Sequence, residues 1–429
     1  MHDIIKPAGS QATTGANQNM LATGRLIYYN VSDNRKTKGN TIMIIRRIRP
    51  DEAYKSAMVS SIAFNVSLDI EAKKGEELNN EVIGAFLDDN ETLAAKITPV
   101  PAESYYCGSV FPAVGIGGVS TLPQYRRGGC IRAIFDEIFR LVPERGWVTS
   151  YLYPFSHTYY RQFGYERMTM RRTMKVPIND LSVAERNTDG ELYTGSDSQL
   201  QIITEIYNEF ASRFNAMYRR TASDHYRDLY SPDPFKSRKS TYIWKGRAYA
   251  TVNIEDGELK VGELAYTDPE SLRGIIGFLR VFEGQVGAIR FRDLPEISEV
   301  DYIFRHYSNY DYGIGSWGMG RVLQVKPLLE ANSYPSRSGH FSLKVNDTLE
   351  WNRGIFDVEY ADGKAEVSFR KDGHFDIEAE IPALTLIMMG SDAYTPETAA
   401  YLPGITQTGD TTDFFEAFPK RKLHVFDRF

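Results

Sequence analysis

The sequence is poor in cysteine: Cys107 and Cys130 are the only two in 429 residues. Two thiols make at most one bridge, which excludes a disulfide framework and a cysteine-rich zinc site. The 7 histidines are scattered, with no HExxH or comparable pair, so no metal site is expected. Long apolar runs are missing as well. The longest candidate, ALTLIMMG at 383–390, suits a buried strand or a helix turn and falls short of the roughly 20 residues that span a bilayer. There is no excess of positive charge: 50 Lys+Arg against 56 Asp+Glu give a net charge of -6, without the basic balance usual in nucleic-acid binders. The opening MHDIIKPAGSQATTGANQNM lacks the apolar core of a secretory signal. A cytoplasmic protein with neither a nucleic-acid nor a membrane partner is expected.

What is present points to folded domains. Aromatics are plentiful, 27 Tyr and 23 Phe, and the length exceeds one ordinary core, so two or three domains are expected. Residues 1–42, rich in Gly, Ser, Thr, Asn and Gln, read as a disordered leader or tag-like extension, with Met43 as the functional start. From there MIIRRIR alternates as a half-buried strand does. In DEAYKSAMVSSIAF, Tyr54, Met58, Ile62 and Phe64 fall near helical spacing and mark the expected inner face of a helix. Two strands around the turn DDNE follow, then the Gly-rich strand AVGIGGVSTLP (113–123), a helix over about 129–143 and the strand WVTSYLYP (147–154). HTYYRQFGY reads as a short helix ended by Gly164, and ERMTMRRTMKVP as the strand that closes an α/β domain near residue 178.

The stretch TLPQYRRGGCIRAIF (121–135) carries two arginines and two glycines at the mouth of the 129–143 helix. The first N–H groups of a helix have no partner within it, and with the helix dipole they favour an anion. Glycines let a backbone approach phosphate closely, and arginines offer forked donors to its oxygens. Two readings are open at this level: a surface turn with arginines in water, or a seat for a diphosphate. Neither G-x-x-x-x-G-K-[ST] nor G-x-G-x-x-G with a downstream acid is present at this loop.

Strand, R-x-x-G loop, helix, strand, and then the block SHTYYRQFGY: this order resembles the GNAT family of acetyl-CoA-dependent N-acetyltransferases. A diverged second strand, strand, strand, helix block at 240–282 and a small α+β block near the C-terminus extend the likeness. From Met43 to Phe429 the chain resembles the Eis-type (enhanced intracellular survival) acetyltransferases. The resemblance implies an α/β (α+β) protein with two GNAT-like mixed-sheet domains in tandem, plus a sterol-carrier-like (SCP2-like) α+β domain. It assigns 43–178 to the catalytic domain, 179–320 to a degenerate second copy and 321–429 to the carrier-like domain, which delivers the C-terminal carboxylate.

By the same resemblance the co-substrate is acetyl-CoA, without a metal. The backbone of Val119 and Thr121 would meet its pantetheine arm, and Arg126, Arg127, Gly128 and Gly129 its diphosphate. Ile131 stands where GNAT loops commonly carry Gly or Ala. A backbone N–H near Val119 would hold the tetrahedral oxyanion. Tyr160 occupies the place of the general acid, which as a phenol stays protonated at neutral pH, with Tyr159 and Tyr165 as the alternatives. The carboxylate of Phe429 would take a proton from the amine. The acceptor would be a small-molecule or peptide amine of aminoglycoside, polyamine or lysine type, and the assembly a homo-oligomer, a hexamer in Eis-type relatives.

Aligned on its glycine, the second copy sets Ser271-Leu272-Arg273-Gly274 against the first loop and adds the acids Asp268 and Glu270. These oppose a diphosphate, so the second domain is expected to bind no coenzyme A. A lipid- or acyl-CoA-binding carrier-like protein without transferase activity is the alternative from another class. It would rest on the carrier-like block, whose ALTLIMMG segment reads rather as core.

Overall fold

The computed structural model describes residues 27–31, 41–68, 80–223, 239–304 and 310–427. The chain divides into two compact units, Met1–Lys96 with Ser120–Ile134, and Ile97–Val119 with Phe135–Phe429.

In the first unit, β1 (Ile27–Val31) pairs antiparallel with β2 (Thr41–Arg47), so part of the expected 1–42 leader forms a strand. Helix α1 (Ala53–Phe64) follows, then β3 (Ile83–Phe86), antiparallel to β2, and the start of β4 (Leu93–Tyr106). The DDNE turn closes on Asp89, whose carboxylate accepts from the amides of Glu91 and Thr92 at 2.9 and 2.8 Å. Ile44, Ile48, Val59, Phe86, Leu93 and Leu122 form the core of this unit. The expected inner face of α1 is corrected. Met58, Ile62 and Phe64 are exposed, and Ala53, Ser56 and Val59 face inward, small residues that let the helix lie close to its support.

The second unit holds the rest of β4, then β5 (Ser109–Thr121) up to Val119, and the strands that follow. Next along the chain come α2 (Cys130–Arg140), α3 (Val142–Arg145), β6 (Thr149–Leu152), α4 (His157–Arg161), β7 (Glu166–Arg167) and β8 (Met170–Pro177). Then come β9 (Gly190–Leu192), α5 (Asp197–Ala211), β10 (Tyr218–Arg219), β11 (Ser240–Trp244), β12 (Ala248–Glu255), β13 (Glu258–Tyr266) and α6 (Pro269–Leu279). The strands β14 (Ala288–Leu294), β15 (Asp311–Ser316) and β16 (Met319–Val322) complete two mixed sheets. Each has one parallel pair among antiparallel neighbours, β5 with β6 and β13 with β14. The C-terminal sheet, β17 (Gly339–Asn346), β18 (Gly354–Ala361), β19 (Lys364–Arg370), β20 (Ile377–Glu380) and β21 (Ile405–Gln407), has the order β19-β18-β17-β20-β21. Against it lies the helix Ile381–Met389, the ALTLIMMG segment, which is buried almost all round as core.

The strand expected over ERMTMRRTMKVP is divided. β7 pairs with β16, while β8 joins the other sheet between β14 and β15. The division falls at Thr169, where Met168 and Thr169 donate amides to the Gly318 carbonyl at 3.0 and 3.2 Å and the Gly318 amide returns to Thr169 Oγ1 at 2.9 Å. In turn β16 lies between β6 and β7.

Candidate active site

In the first unit, Thr121 ends β5 and a single 3-10 turn, Pro123–Tyr125, follows. The buried Leu122 fixes its entrance, donating its amide to the Ala94 carbonyl of β4 at 2.9 Å. The amides of Arg126 and Gly128 fold back onto the carbonyls of Pro123 and Tyr125, each at 3.3 Å. Arg127 (φ 65°) and Gly129 (φ 79°) are left-handed, and α2 begins one residue later. Left-handed residues in such a turn swing successive N–H groups to one side, as in an anion-binding nest. The amides of Arg127 and Gly129 have no acceptor among the described residues. A left-handed arginine is strained by about 1–2 kcal/mol, and strain of this kind gathers at binding sites. The side chains of Arg126 and Arg127 are exposed and lack a carboxylate partner among the described residues. The Ile131 side chain is buried, which leaves only its backbone for a ligand. Cys130 is buried too, and burial pushes its thiol up, away from a nucleophile's range.

In the second unit, β5 pairs with β6 only from Ala113 to Gly115. Gly118, within β5, has a left-handed φ of 57°, and the half-buried Val119 follows it. Over its last residues in this unit β5 thus runs without β6, which leaves a strand edge of the kind that takes an extended ligand by backbone hydrogen bonds.

Helix α4 starts at Ser156, whose hydroxyl accepts from the Tyr159 amide at 3.3 Å, and the turn after it passes through the left-handed Gly164. Tyr160 is 2% exposed. Its ring meets those of Tyr159, Phe155, Phe135 and Tyr165 edge-on, at centroid distances of 5.2, 5.4, 6.4 and 6.4 Å. Its hydroxyl has no hydrogen-bond partner among the described residues. Burial, reinforced by Tyr159 and Tyr165, pushes this phenol up, so it keeps its proton throughout the physiological range. Tyr165 is differently placed. Ser150 spends its own proton on the Val114 carbonyl at 3.0 Å, so the Tyr165 hydroxyl donates to Ser150 Oγ at 2.7 Å and is already engaged. His157 Nε2 pairs with Ser316 Oγ at 2.7 Å.

Sequence reasoning passed over two supports of this region. Arg321, on β16, is buried and pairs with Asp347 at 2.6 Å. Its guanidinium lies 4.3 Å from the Phe139 ring centre and also donates to the Phe163 carbonyl, in the turn after Tyr160. A lone arginine within MGRVLQV was the available signal. The second support is Asp427. Arg220 Nε meets its carboxylate at 2.6 Å, the Tyr207 hydroxyl donates to it at 3.0 Å, and Tyr153 donates to its carbonyl oxygen. Arg220 also forks onto Glu263 at 2.9 and 3.0 Å. This anchors the chain two residues before Phe429, which lies outside the described residues.

The counterpart of the first loop is built differently. Between β13 and α6 stand only Thr267 and Asp268, and Ser271 to Gly274 lie inside α6, which corrects the alignment on the glycine. Pro269 opens the helix, and Asp268 caps it by accepting from the Ser271 amide at 2.9 Å. Arg247 holds Asp268 at 2.6 Å and Glu270 at 2.9 Å. Burial raises the Asp268 carboxyl, but the Ser271 amide, the Thr267 hydroxyl and Arg247 together bring it down to about 2.

An acetyltransferase (GNAT) domain matches residues 44–168, and a sterol carrier protein domain matches residues 325–425. The N-acetyltransferase Eis of Mycobacterium bovis is 25% identical over 352 residues, 76% of this chain and 81% of its own length. Eis of Mycobacterium tuberculosis is 25% identical over 315 residues, 68% of this chain and 74% of its own. Among solved structures, a probable N-acyltransferase from Enterococcus faecalis superimposes with a TM-score of 0.76 at 21% identity, covering 90% of this chain and 100% of that one. Eis1 from Mycobacterium abscessus does so with a TM-score of 0.73 at 18% identity and the same coverage. These two likenesses carry the fold. With the domain matches and the Eis relatives, they mark this chain as an acyltransferase that carries a GNAT acetyltransferase domain and, at its C-terminal side, a sterol carrier protein domain, and that is similar to the Eis N-acetyltransferases.

Proposed function

We propose that the protein transfers the acetyl group of acetyl-CoA directly to a primary amine on a small molecule or peptide, of aminoglycoside, polyamine or lysine type. The observation that carries this reading is the backbone of Arg126 to Gly129. Its two left-handed residues, free amides and unpaired arginines make an anion seat at the mouth of α2. The coenzyme diphosphate fits that chemistry, and the end of β5 at Val119 and Thr121, beyond its pairing with β6, suits the pantetheine arm.

Tyr160 is the general acid in this mechanism. The amine attacks the thioester carbonyl, a backbone N–H near Val119 holds the oxyanion, and the intermediate collapses as the C–S bond breaks. Tyr160 gives its proton to the departing thiolate. Its buried, neutral phenol without an internal hydrogen-bond partner supports that role. The terminal carboxylate of Phe429 takes the ammonium proton, and the Asp427 anchor to Arg220 and Tyr207 supports a fixed placement for the last residues. We assign the carrier-like block to presenting that terminus. A Tyr160→Phe variant tests the acid. Its kcat falls about 100-fold while the KM for acetyl-CoA holds, in keeping with the weight of general acid catalysis. Transfer at the wild-type rate across pH would remove Tyr160 from the mechanism.

A further inference from the structure

The second GNAT-like region carries a cavity of about 320 Å³ beside the start of α6, within the range of small-molecule sites. Its wall carries two acids and two arginines that are unequally engaged. Both acids are engaged: Asp268 by the Ser271 amide and Arg247, and Glu299 by the Tyr266 hydroxyl at 2.8 Å and by Lys422. The two arginines of the wall have no such partner. Arg213 donates to the carbonyls of Tyr266 and Phe210 at 2.7 and 3.4 Å and lies against both rings. Arg273 has no partner among the described residues. Leu272, Ile303 and the ring of Tyr302, which is 79% exposed, supply apolar surface beside these cations.

We propose that this cavity is a second ligand site, distinct from the coenzyme seat, for a small organic carboxylate with a planar or apolar body. The carboxylate meets Arg273 and the edge of Arg213, and the body lies against Tyr302, Leu272 and Ile303. The amides of α6 play no part, because Asp268 already takes the capping position. Coenzyme A itself is excluded by size and by the acids at the helix start. An occupant also touches Glu299, the residue that holds Lys422 of the C-terminal segment.

Calorimetric titration of the full chain with 2-naphthoate, and with its neutral analogue 2-naphthamide, tests the site. Arg273→Gln and Tyr302→Ala are exposed changes that leave the fold intact, and circular dichroism checks this. The expected result is naphthoate binding that weakens about tenfold in Arg273→Gln, the scale of one lost charge-assisted hydrogen bond. It also weakens in Tyr302→Ala, stays unchanged in Arg126→Ala/Arg127→Ala, and exceeds naphthamide binding by a similar factor. Absence of naphthoate binding, equal affinity for the amide, indifference to Arg273→Gln and Tyr302→Ala, or loss of binding in the Arg126/Arg127 variant would overturn the proposal.

Discussion

The loops before α2 and α6 start from the same plan, a strand that leads through a turn into a helix beside a parallel partner, and they end in opposite chemistry. Before α2, the turn spends two left-handed residues and two exposed arginines on a set of amides that the protein itself does not use. Before α6, the turn shrinks to Thr267 and Asp268, and the protein's own carboxylate takes the place an external anion would need. The first arrangement is strained and open, and the second is satisfied and closed. A helix N-terminus can seat a ligand only where the chain declines to cap it, and that is the difference between these two loops.

Charge removal breaks the comparison most strongly. Arg126→Ala/Arg127→Ala raises the acetyl-CoA KM on the order of 100-fold, since two charge-assisted contacts go. Arg247→Ala/Arg273→Ala, at and beside the start of α6, leaves that KM unchanged, and steady-state kinetics read both. The glycines give the next largest contrast. Gly129 is left-handed with open space around an added Cβ, so Gly129→Ala costs about 1 kcal/mol of stability and raises the KM. Gly274 sits inside α6, where an added Cβ would overlap the Trp244 ring. Gly274→Ala therefore lowers stability by about 1–3 kcal/mol with the KM unchanged. Denaturant unfolding beside kinetics separates the two effects.

The smallest effect lies at the cap. Asp268→Ala costs about 1 kcal/mol. The folded carboxyl titrates at about 2 against an ordinary 3.8, so its contribution is complete above the ordinary value and is lost as pH falls toward 2. The difference in Tm between wild type and Asp268→Ala should be constant near neutrality and narrow between about pH 4 and pH 2.

Local signals served well where the structure is local. The R-R-G-G turn and the helix it opens could be read from spacing and residue type, whereas the helix expected to end at Gly164 stops at Arg161 and the left-handed Gly164 lies in the turn beyond. The second loop misled because the glycine of Ser271-Leu272-Arg273-Gly274 was matched by identity. The sequence D-P-E-S, a capping residue followed by proline, marks the helix start at Pro269, ahead of the whole aligned segment. Strand pairing was out of reach. Nothing local in Met170–Pro177 says that it leaves the first sheet for the one with β14, and nothing local in Met319–Val322 says that it pairs with β6, because pairing depends on residues more than 100 positions away. The inner face of α1 failed for a related reason: small residues, silent in a hydrophobic pattern, pack inward while larger ones face out. Arg321 and Asp427 do their work through contacts across long sequence separations, and only the folded chain displays them.

One diphosphate seat per chain, at Arg126 to Gly129, is the core of this account. Isothermal titration of the intact protein with coenzyme A measures it directly. One site per chain in the wild type, weakened on the order of 100-fold in Arg126→Ala/Arg127→Ala, is the predicted result. Two sites per chain, or wild-type affinity in the double variant, would contradict it.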